Sequence, residues 1–495
     1  MIFSNRSSSK TRSLKLFLLL FSTFWICADF QQAVAQTLTI TVSPTSVSLT
    51  TGGTQQFGVT ISGTTNTAVT WSTTGGTIST SGLYTAPSTS GTYTVTATSS
   101  ALASMSASAQ VTVTQGNNWY VSPTGADTSS CGSFSSPCGT ISYVSANKVA
   151  PGDTVHVSGS FSLNSSTCIS TAASGTASKP ITYMGDPYGS AKINGEAACF
   201  YMWHNTGNYV NIYGFDFTGV QTNATTNGGT SIILSDGGGG NVSIAHNVLH
   251  DLPSGFATAI DMEPYGGGGY TGAPCSVHDN VLYNLGLNGG LHQGDYGIYI
   301  TCGTNTYVYN NLIYNAGSIG IHCWHAANDV HIWNNTISNA QYIGIIVGTG
   351  DQGVVSGAYF DVTNNIIVNS QYGIMAEDAS PGYISKSSIF RNNLIYNNSV
   401  DWYYNNNGTD QTLQGAGMSV IGTVVGNPLF VSPGAGNYQP GSGSPATGRG
   451  INVGLTSDLA GNPVPSSSGI NIGAYNNTNV GKGPNPPTNL KIVVD

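Results

Sequence analysis

Six copies of one octet pattern constrain this chain more than anything else in it: IAHNVLHD from Ile244, VHDNVLYN from Val277, VYNNLIYN from Val308, IWNNTISN from Ile332, VTNNIIVN from Val362 and FRNNLIYN from Phe390. Their Asn anchors, Asn247, Asn280, Asn311, Asn335, Asn365 and Asn393, are separated by 33, 31, 24, 30 and 28 residues. Such spacing is too irregular for a rigid helical array, yet every interval carries the same short extended pattern. A second run recurs between the octets, as GIYI from Gly297, GIHC from Gly320, GIIV from Gly344 and GIMA from Gly373. Two alternating strands per period predict a parallel β-solenoid, because each coil can bury its inward face only by stacking on its neighbours.

The columns of the stack follow from side-chain alternation. Ile244, Val277, Val308, Ile332, Val362 and Phe390 should point inward, as should Leu249, Leu282, Ile313, Ile337, Ile367 and Ile395 across a bend. Two residues further on come Asp251, Asn284, Asn315, Asn339, Asn369 and Asn397. An amide repeated at one turn position can bond its equivalents about 4.8 Å above and below. The last five are therefore expected to form a ladder that satisfies buried polar groups at the turn.

The ends of the chain are different. Basic Arg6, Lys10, Arg12 and Lys15, an apolar run from Leu14 to Ile26 and the small residues Ala33-Val34-Ala35 read as a signal peptide over residues 1–35. Its removal takes the formal charge of −9 to about −12, which argues against nucleic acid or an anionic membrane as a partner. No second apolar run could span a bilayer, so no transmembrane segment is expected in the mature chain, and the predicted location is secreted or at the cell surface. The remaining cysteines lack metal-ligand spacing and read as disulfides of an exported protein. Cys131 with Cys138 would close a small loop, Cys168 with Cys199 would join adjacent coils, and Cys275 with Cys302 is a third pair; Cys323 falls on an inward column.

Residues 37–114 contain no Asp, Glu, His, Lys or Arg and run in short alternating strands such as LTITVSP, AVTWSTT and GTYTVTATS. They predict a small β-sandwich with Trp71 as core anchor. VSPTSVSLTTGGTQQFGV from Val42 and the GGTIST and GLYTAP runs from Gly75 are similar to bacterial Ig-like domains of group 2, which implies a spacer or adhesion module. Residues 115–117 read as a linker and 476–495 as a Pro-rich tail.

Between them, residues 118–475 resemble the right-handed parallel β-helix of the pectate-lyase-like superfamily, with caps at both ends. The resemblance rests on the octets, on YVSPTGADTSSCGSFSSPCGTISYV from Tyr120, PGDTVHVSGSF from Pro151, KPITYMGDPYGSAKING from Lys179 and NPLFVSPGAGNYQPGSGSPATGRG from Asn427. The expected fold class is thus all-β, a right-handed solenoid preceded by an Ig-like sandwich. The resemblance implies action on an extracellular polysaccharide, by a lyase or a glycoside hydrolase.

Candidate chemistry lies on the outside of the solenoid. The outward position after each repeated Gly gives Ile233, Asp261, Tyr299, His322, Ile346 and Met375 in coil order. Two residues on, it gives Ser235, Glu263, Thr301, Trp324, Gly348 and Glu377. Asp261, Glu263, Asp295 and His322 are the candidate acids, bases or metal groups. Tyr299, Trp324, His292, His325, Tyr265 and Tyr270 are the candidate substrate contacts, because rings stack on sugar faces while acids and imidazoles handle protons. His246, His278 and His331, on the octet strands, have no comparable neighbours in the pattern.

Classical uronate elimination fits poorly. Lyases of this superfamily use a Lys or Arg base with calcium or a further Arg, and no Lys or Arg occurs between Lys192 and Lys386. Carboxylates such as Asp261, Glu263 and Asp295 suit calcium, although no contiguous calcium loop is present. The paired Asp, Gly-His-Gly and Arg-x-Lys set of polygalacturonase-like hydrolases is absent. Two alternatives remain: a carbohydrate-active enzyme, or a non-catalytic adhesin or glycan-binding stalk.

Overall fold

The computed structural model describes residues 38–476 apart from 165–166, 196–198, 200, 220–229, 253–256, 267–268, 287–295, 351–352, 379, 381 and 407–408. The signal-peptide and Pro-rich-tail expectations lie outside the described residues.

In the N-terminal unit, Thr39–Ser43 pairs antiparallel with Gly58–Ser62, and Val69–Thr73 with Gly91–Ser99. Trp71 is not the anchor expected of it. Phe57 and Tyr84 are almost wholly buried with ring centroids 6.2 Å apart, and they leave Trp71 half-buried beside Gly82.

From Asn118 to Val425 the described residues form a right-handed parallel β-helix, all-β in class but for the short α-helix Ile141–Asn147. It has three parallel sheets, not two strands per period. The first sheet has 11 strands, from Asn118–Val121 through Val242–Ala245 and Cys275–His278 to Ser419–Ile421. The second has 10, from Gly159–Leu163 through Val248–Leu252 to Val424–Val425. The third carries the repeated Gly runs, including Ala257–Gly266, Tyr296–Ile300, Ile319–Cys323, Ile343–Thr349 and Tyr372–Asp378. Each octet therefore holds two strands joined by a corner. That corner is the bend between the two apolar columns, and it takes a single residue at positive φ.

Gly214, His246, Asp279, Asn310, Asn334, Asn364, Asn392 and Gly422 occupy this corner in successive coils, all with φ between 51° and 75°. Glycine adopts this left-handed conformation freely and Asn and Asp tolerate it, which is why the octets are rich in them. Both apolar columns point inward, with every side chain from Ile244 to Phe390 and from Leu249 to Ile395 at 0% exposure.

Behind the corner stands the main amide ladder. The Asn280 backbone N–H and Nδ2 both donate to Asn311 Oδ1, at 3.1 and 3.0 Å, and Nδ2 also donates to the Ile244 carbonyl at 2.9 Å. The same bonds recur from Asn247 to Asn393, all with 0–1% exposure. The column expected to do this forms a second, outer ladder. Asn284 donates to Asp251, Asn315 to Asn284, Asn339 to Asn315 and Asn397 to Asn369, at 2.7–2.9 Å. Its members are half-buried or exposed, so it caps the turn at the surface and does not rescue stranded buried groups.

Parallel stacking ends at Val424–Val425. The chain then runs back along the corner, where Asn310, Asn364 and Asn392 donate to the carbonyls of Ser457, Ile451 and Arg449. Disulfides join Cys131 to Cys138, Cys168 to Cys199 and Cys275 to Cys302, and Cys323 is free and buried. No helix among the described residues is long and apolar enough to cross a membrane.

Candidate functional site

On the third sheet, Asp261 pairs with Tyr299, Tyr299 with His322, His322 with Ile346 and Ile346 with Met375. The outward column is thus in the expected order except at its start. Ile233 pairs with Ile260 in the core, and Leu234 is the residue beside Asp261. Ser235 is also turned inward, paired with Met262. Alternation from Leu234 turns Asp236 outward, where its charge acts on Glu263. Starting the outward column one residue early in this coil, at Ile233, exchanges the two faces and leaves Asp236 out.

Three carboxylates thereby come under one another's influence. Asp261 Oδ2 accepts from Ser231 Oγ at 2.6 Å, while its Oδ1 is buried without a partner. Burial, reinforced by the Glu263 charge, holds the Asp261 pKa well above the usual carboxylate range. Burial and the Asp236 charge push Glu263 up to about 7. Asp236 itself bonds His204 Nε2 at 3.0 Å, and that bond raises the imidazole's pKa. Tyr201 is pushed up to about 12, by burial first and then by these three charges.

The aromatic wall is continuous with the acids. Tyr299 and His322 have ring centroids 5.0 Å apart, Tyr296 meets His322 edge-on at 4.9 Å, and His322 lies 6.0 Å from Trp324. His325 stacks on Tyr270 at 4.3 Å, and Tyr270 meets Tyr265 at 5.3 Å. Burial, with the His325 charge, lowers His322 to about 3. It is a neutral imidazole at any physiological pH, and its Nδ1 has no partner. Tyr299 is shifted upward by burial and by both acids, so it offers a hydroxyl and no phenolate. Trp324 lies against Gly348 of the next coil, where a Cβ would come within 2.6 Å of the ring.

Asp261, Glu263, Tyr299, His322, Trp324, His325, Tyr270 and Tyr265 are thus brought to one face. His292 and Asp295 lie outside the described residues. Sequence reasoning missed Asp236, Tyr201, His204 and Tyr296. His204 stands in register with Leu234, three coils before the first repeated Gly run at Gly297, which is why no motif marked it.

Among the described residues, only Asp127–Cys131–Cys138 and His246–His278–Asp279 bring three His, Cys, Asp or Glu donor atoms within 4.8 Å of one another. Two members of the first are joined in a disulfide. Asp236, Asp261 and Glu263 do not form such a triad, and Asp295, the third carboxylate suited to calcium on this face, lies outside the described residues.

Residues 265–425 match the family model described as "Right handed beta helix region". No curated protein sequence matches the chain. Among solved structures, pectate lyase Pel9A is similar at 16% identity, covering 73% of this chain and 96% of its own, with a TM-score of 0.45. A rhamnogalacturonan lyase is similar at 16% identity, covering 64% of this chain and 91% of its own, with a TM-score of 0.43. The GH136 lacto-N-biosidase from Eubacterium ramulus is similar at 13% identity, covering 62% of this chain and 67% of its own, with a TM-score of 0.35.

Proposed function

We propose that this is an exported carbohydrate-active protein that hydrolyses a neutral or weakly acidic polysaccharide on the third-sheet face. The observation that carries this reading is the carboxyl pair Asp261 and Glu263. They are two residues apart on one strand, both with raised pKa, at the centre of a wall of rings.

A carboxyl group that keeps its proton near neutrality can protonate a leaving glycosidic oxygen. The close acids disfavour joint ionisation, so one of the pair holds a proton while another carboxylate is free to activate water or stabilise positive charge at the sugar. Glu263 is the acid in this scheme and Asp236, whose charge acts on it, the second carboxylate. Asp261, buried and bonded to Ser231, keeps the cluster's proton in place. Trp324, Tyr299 and Tyr270 supply faces for sugar rings.

Charge sets the substrate class. The face holds three acids and lies in the stretch between Lys192 and Lys386 that contains no Lys or Arg, so a uronate carboxylate would meet repulsion and no fixed cation. A panel of neutral and acidic polysaccharides, followed by reducing-end release and by ultraviolet absorbance of unsaturated ends, tests the proposal. Reducing ends without the unsaturated chromophore are expected. Unsaturated ends would establish elimination, and binding without either signal would leave a glycan-binding stalk.

A further inference from the structure

The corner column that organises the fold also builds a second constellation, away from the acid face. In four consecutive coils the corner residue is Asn, and each Asn side chain is used. Asn310 Nδ2 donates to the Ser457 carbonyl at 2.9 Å, Asn334 to the Gly473 carbonyl at 3.3 Å, Asn364 to Ile451 at 2.8 Å and Asn392 to Arg449 at 2.8 Å. These bonds hold the returning C-terminal segment. In the two coils before Asn310 the column changes to His246 and Asp279, with the same left-handed backbone at φ 55° in both. His and Asp are both accommodated in this conformation, so what sets these two coils apart is the side chains they bring together.

The neighbouring position supplies a third donor. His278 precedes Asp279 on the first sheet, and its Nδ1 lies 2.8 Å from Asp279 Oδ2. His246 Nε2 lies 3.8 Å from the same oxygen, so one donor atom from each residue falls within 4.8 Å of the others. The Asp279 side chain is only 7% exposed and its Oδ1 is buried without a hydrogen-bond partner. An ionised carboxylate with an idle oxygen costs free energy at such a site unless something positive completes it.

We propose that His246, His278 and Asp279 form a binding site for a divalent transition metal of the zinc type. Two imidazoles and one carboxylate make a borderline-soft donor set that suits zinc and disfavours calcium or magnesium. A tetrahedral ion with bonds of about 2.0–2.1 Å separates its ligand atoms by roughly 3.4 Å. The 2.8 and 3.8 Å separations bracket that value, so closure needs side-chain shifts and no backbone movement.

The surroundings have the form of a supporting shell. Ser243 Oγ lies 3.2 Å from His278 Nε2, which orients the ring with Nδ1 toward Asp279. Tyr188 and Tyr213 flank His246, with ring centroids 6.5 and 6.3 Å away. Three protein ligands leave the fourth position open, and His278 also lines a groove of about 650 Å³ with Tyr213, Ser243, Tyr309 and Trp333.

The test uses the full chain without a polyhistidine tag, stripped with a chelator and titrated with zinc by calorimetry and with cobalt by visible absorption. One metal per chain is expected, with cobalt d–d bands of low-coordinate character and a higher melting temperature in zinc. His246→Ala and Asp279→Asn should each weaken binding at least 10-fold, whereas His331→Ala should leave it unchanged. Absence of zinc heat and cobalt bands at tens of micromolar metal in the unmodified protein would overturn the proposal, and that reading needs no variant to fold. So would cobalt bands that persist in Asp279→Asn.

Discussion

The third sheet presents the same outward column in two stretches that could hardly differ more. From Asp236 to Trp324 it carries acids, imidazoles and rings. From Ile343 onward it carries Ile346 and Met375, which join Ile319 and Ile343 in an apolar cluster covered by Tyr342, Tyr372 and Tyr403. Beneath both stretches the inward column is the same: Ile260, Ile298, Ile321, Ile345 and Ile374 are all at 0% exposure. Stacking requires only that inner identity, because coils touch through it and through the backbone ladder. The outer column is therefore free to vary, and a function on this fold is a local departure that the repeat does not encode.

The sharpest way to break this contrast is to remove one acid from the polar stretch and one side chain from the apolar one. Glu263→Gln and Asp261→Asn should each lower turnover by at least about 100-fold, the usual scale for losing a positioned acid or base. Met375→Ala, on the same column, should leave kcat within about two-fold. Thermal melts accompany the assay, since Met375 is 4% exposed and its truncation will cost stability. Equal losses of turnover from all three would mean that the two stretches do not differ in function.

A smaller effect is expected where the stretches meet. Gly348 belongs to the apolar coil, yet a Cβ there would come within 2.6 Å of the Trp324 ring and 2.8 Å of the Glu377 carbonyl. Gly348→Ala must displace the ring, since the carbonyl cannot yield. Roughly a 10-fold rise in glycan Kd or KM is expected, about 1.4 kcal/mol, matched by Trp324→Ala. An unchanged KM in both variants would remove Trp324 from the binding surface.

The acid pair also makes the polar stretch pH-sensitive. If Glu263 donates the proton, activity should fall as pH rises through about 7. The stability sign is the same. The folded pKa is raised, so the folded state holds more protons than the unfolded one between the ordinary glutamate range and about 7, and stability declines as pH rises across that window. Glu263→Gln should flatten this decline. A wild-type melting temperature that rises from pH 5 to 7 by an amount Glu263→Gln does not alter would contradict it.

The repeat made the solenoid legible, and the reason is physical. Apolar columns and ladder amides must recur in every coil, so they leave a periodic trace, and Ile244 through Phe390 were placed correctly from alternation alone. What lay outside the trace was whatever happens once. The bend inside each octet was legible, but not that it joins strands of two different sheets, because only one left-handed residue separates them. Asp236 was lost to a one-residue slip at Ile233, in a coil with no Gly run to set the register, and His246 and His278 showed no neighbours in the pattern. In the structure His278 stacks on Tyr309 at 4.5 Å and bonds Asp279, while His331 stacks on Tyr307 at 4.9 Å, so these residues are far from isolated.

The smallest effects should come from the scaffold's outer amides, and they should be the same under both stretches. Asn315 lies in the coil of His322 and Asn369 in the coil of Met375; both have positive φ, 55° and 60°, and each bonds only its neighbours in the half-exposed ladder. Replacement by Gly removes the amide and keeps the backbone conformation, so each variant should lose less than about 1 kcal/mol, the net worth of a solvent-accessible hydrogen bond. Leu at the same positions adds the left-handed penalty of about 1–2 kcal/mol. Asn335→Gly in the inner ladder is the contrast: Asn335 Nδ2 donates to Asn365 and to the Val308 carbonyl, and its Oδ1 accepts from the Asn311 backbone and side chain. Those partners are left unpaired in a dry interior, which should cost about 1–3 kcal/mol for each stranded group. Chemical denaturation of the Asn315→Gly, Asn369→Gly and Asn335→Gly set decides the matter. A loss at Asn315 as large as that at Asn335 would show that the outer column also supports the coils, and a difference between Asn315 and Asn369 would show that the scaffold itself is tuned beneath the acid face.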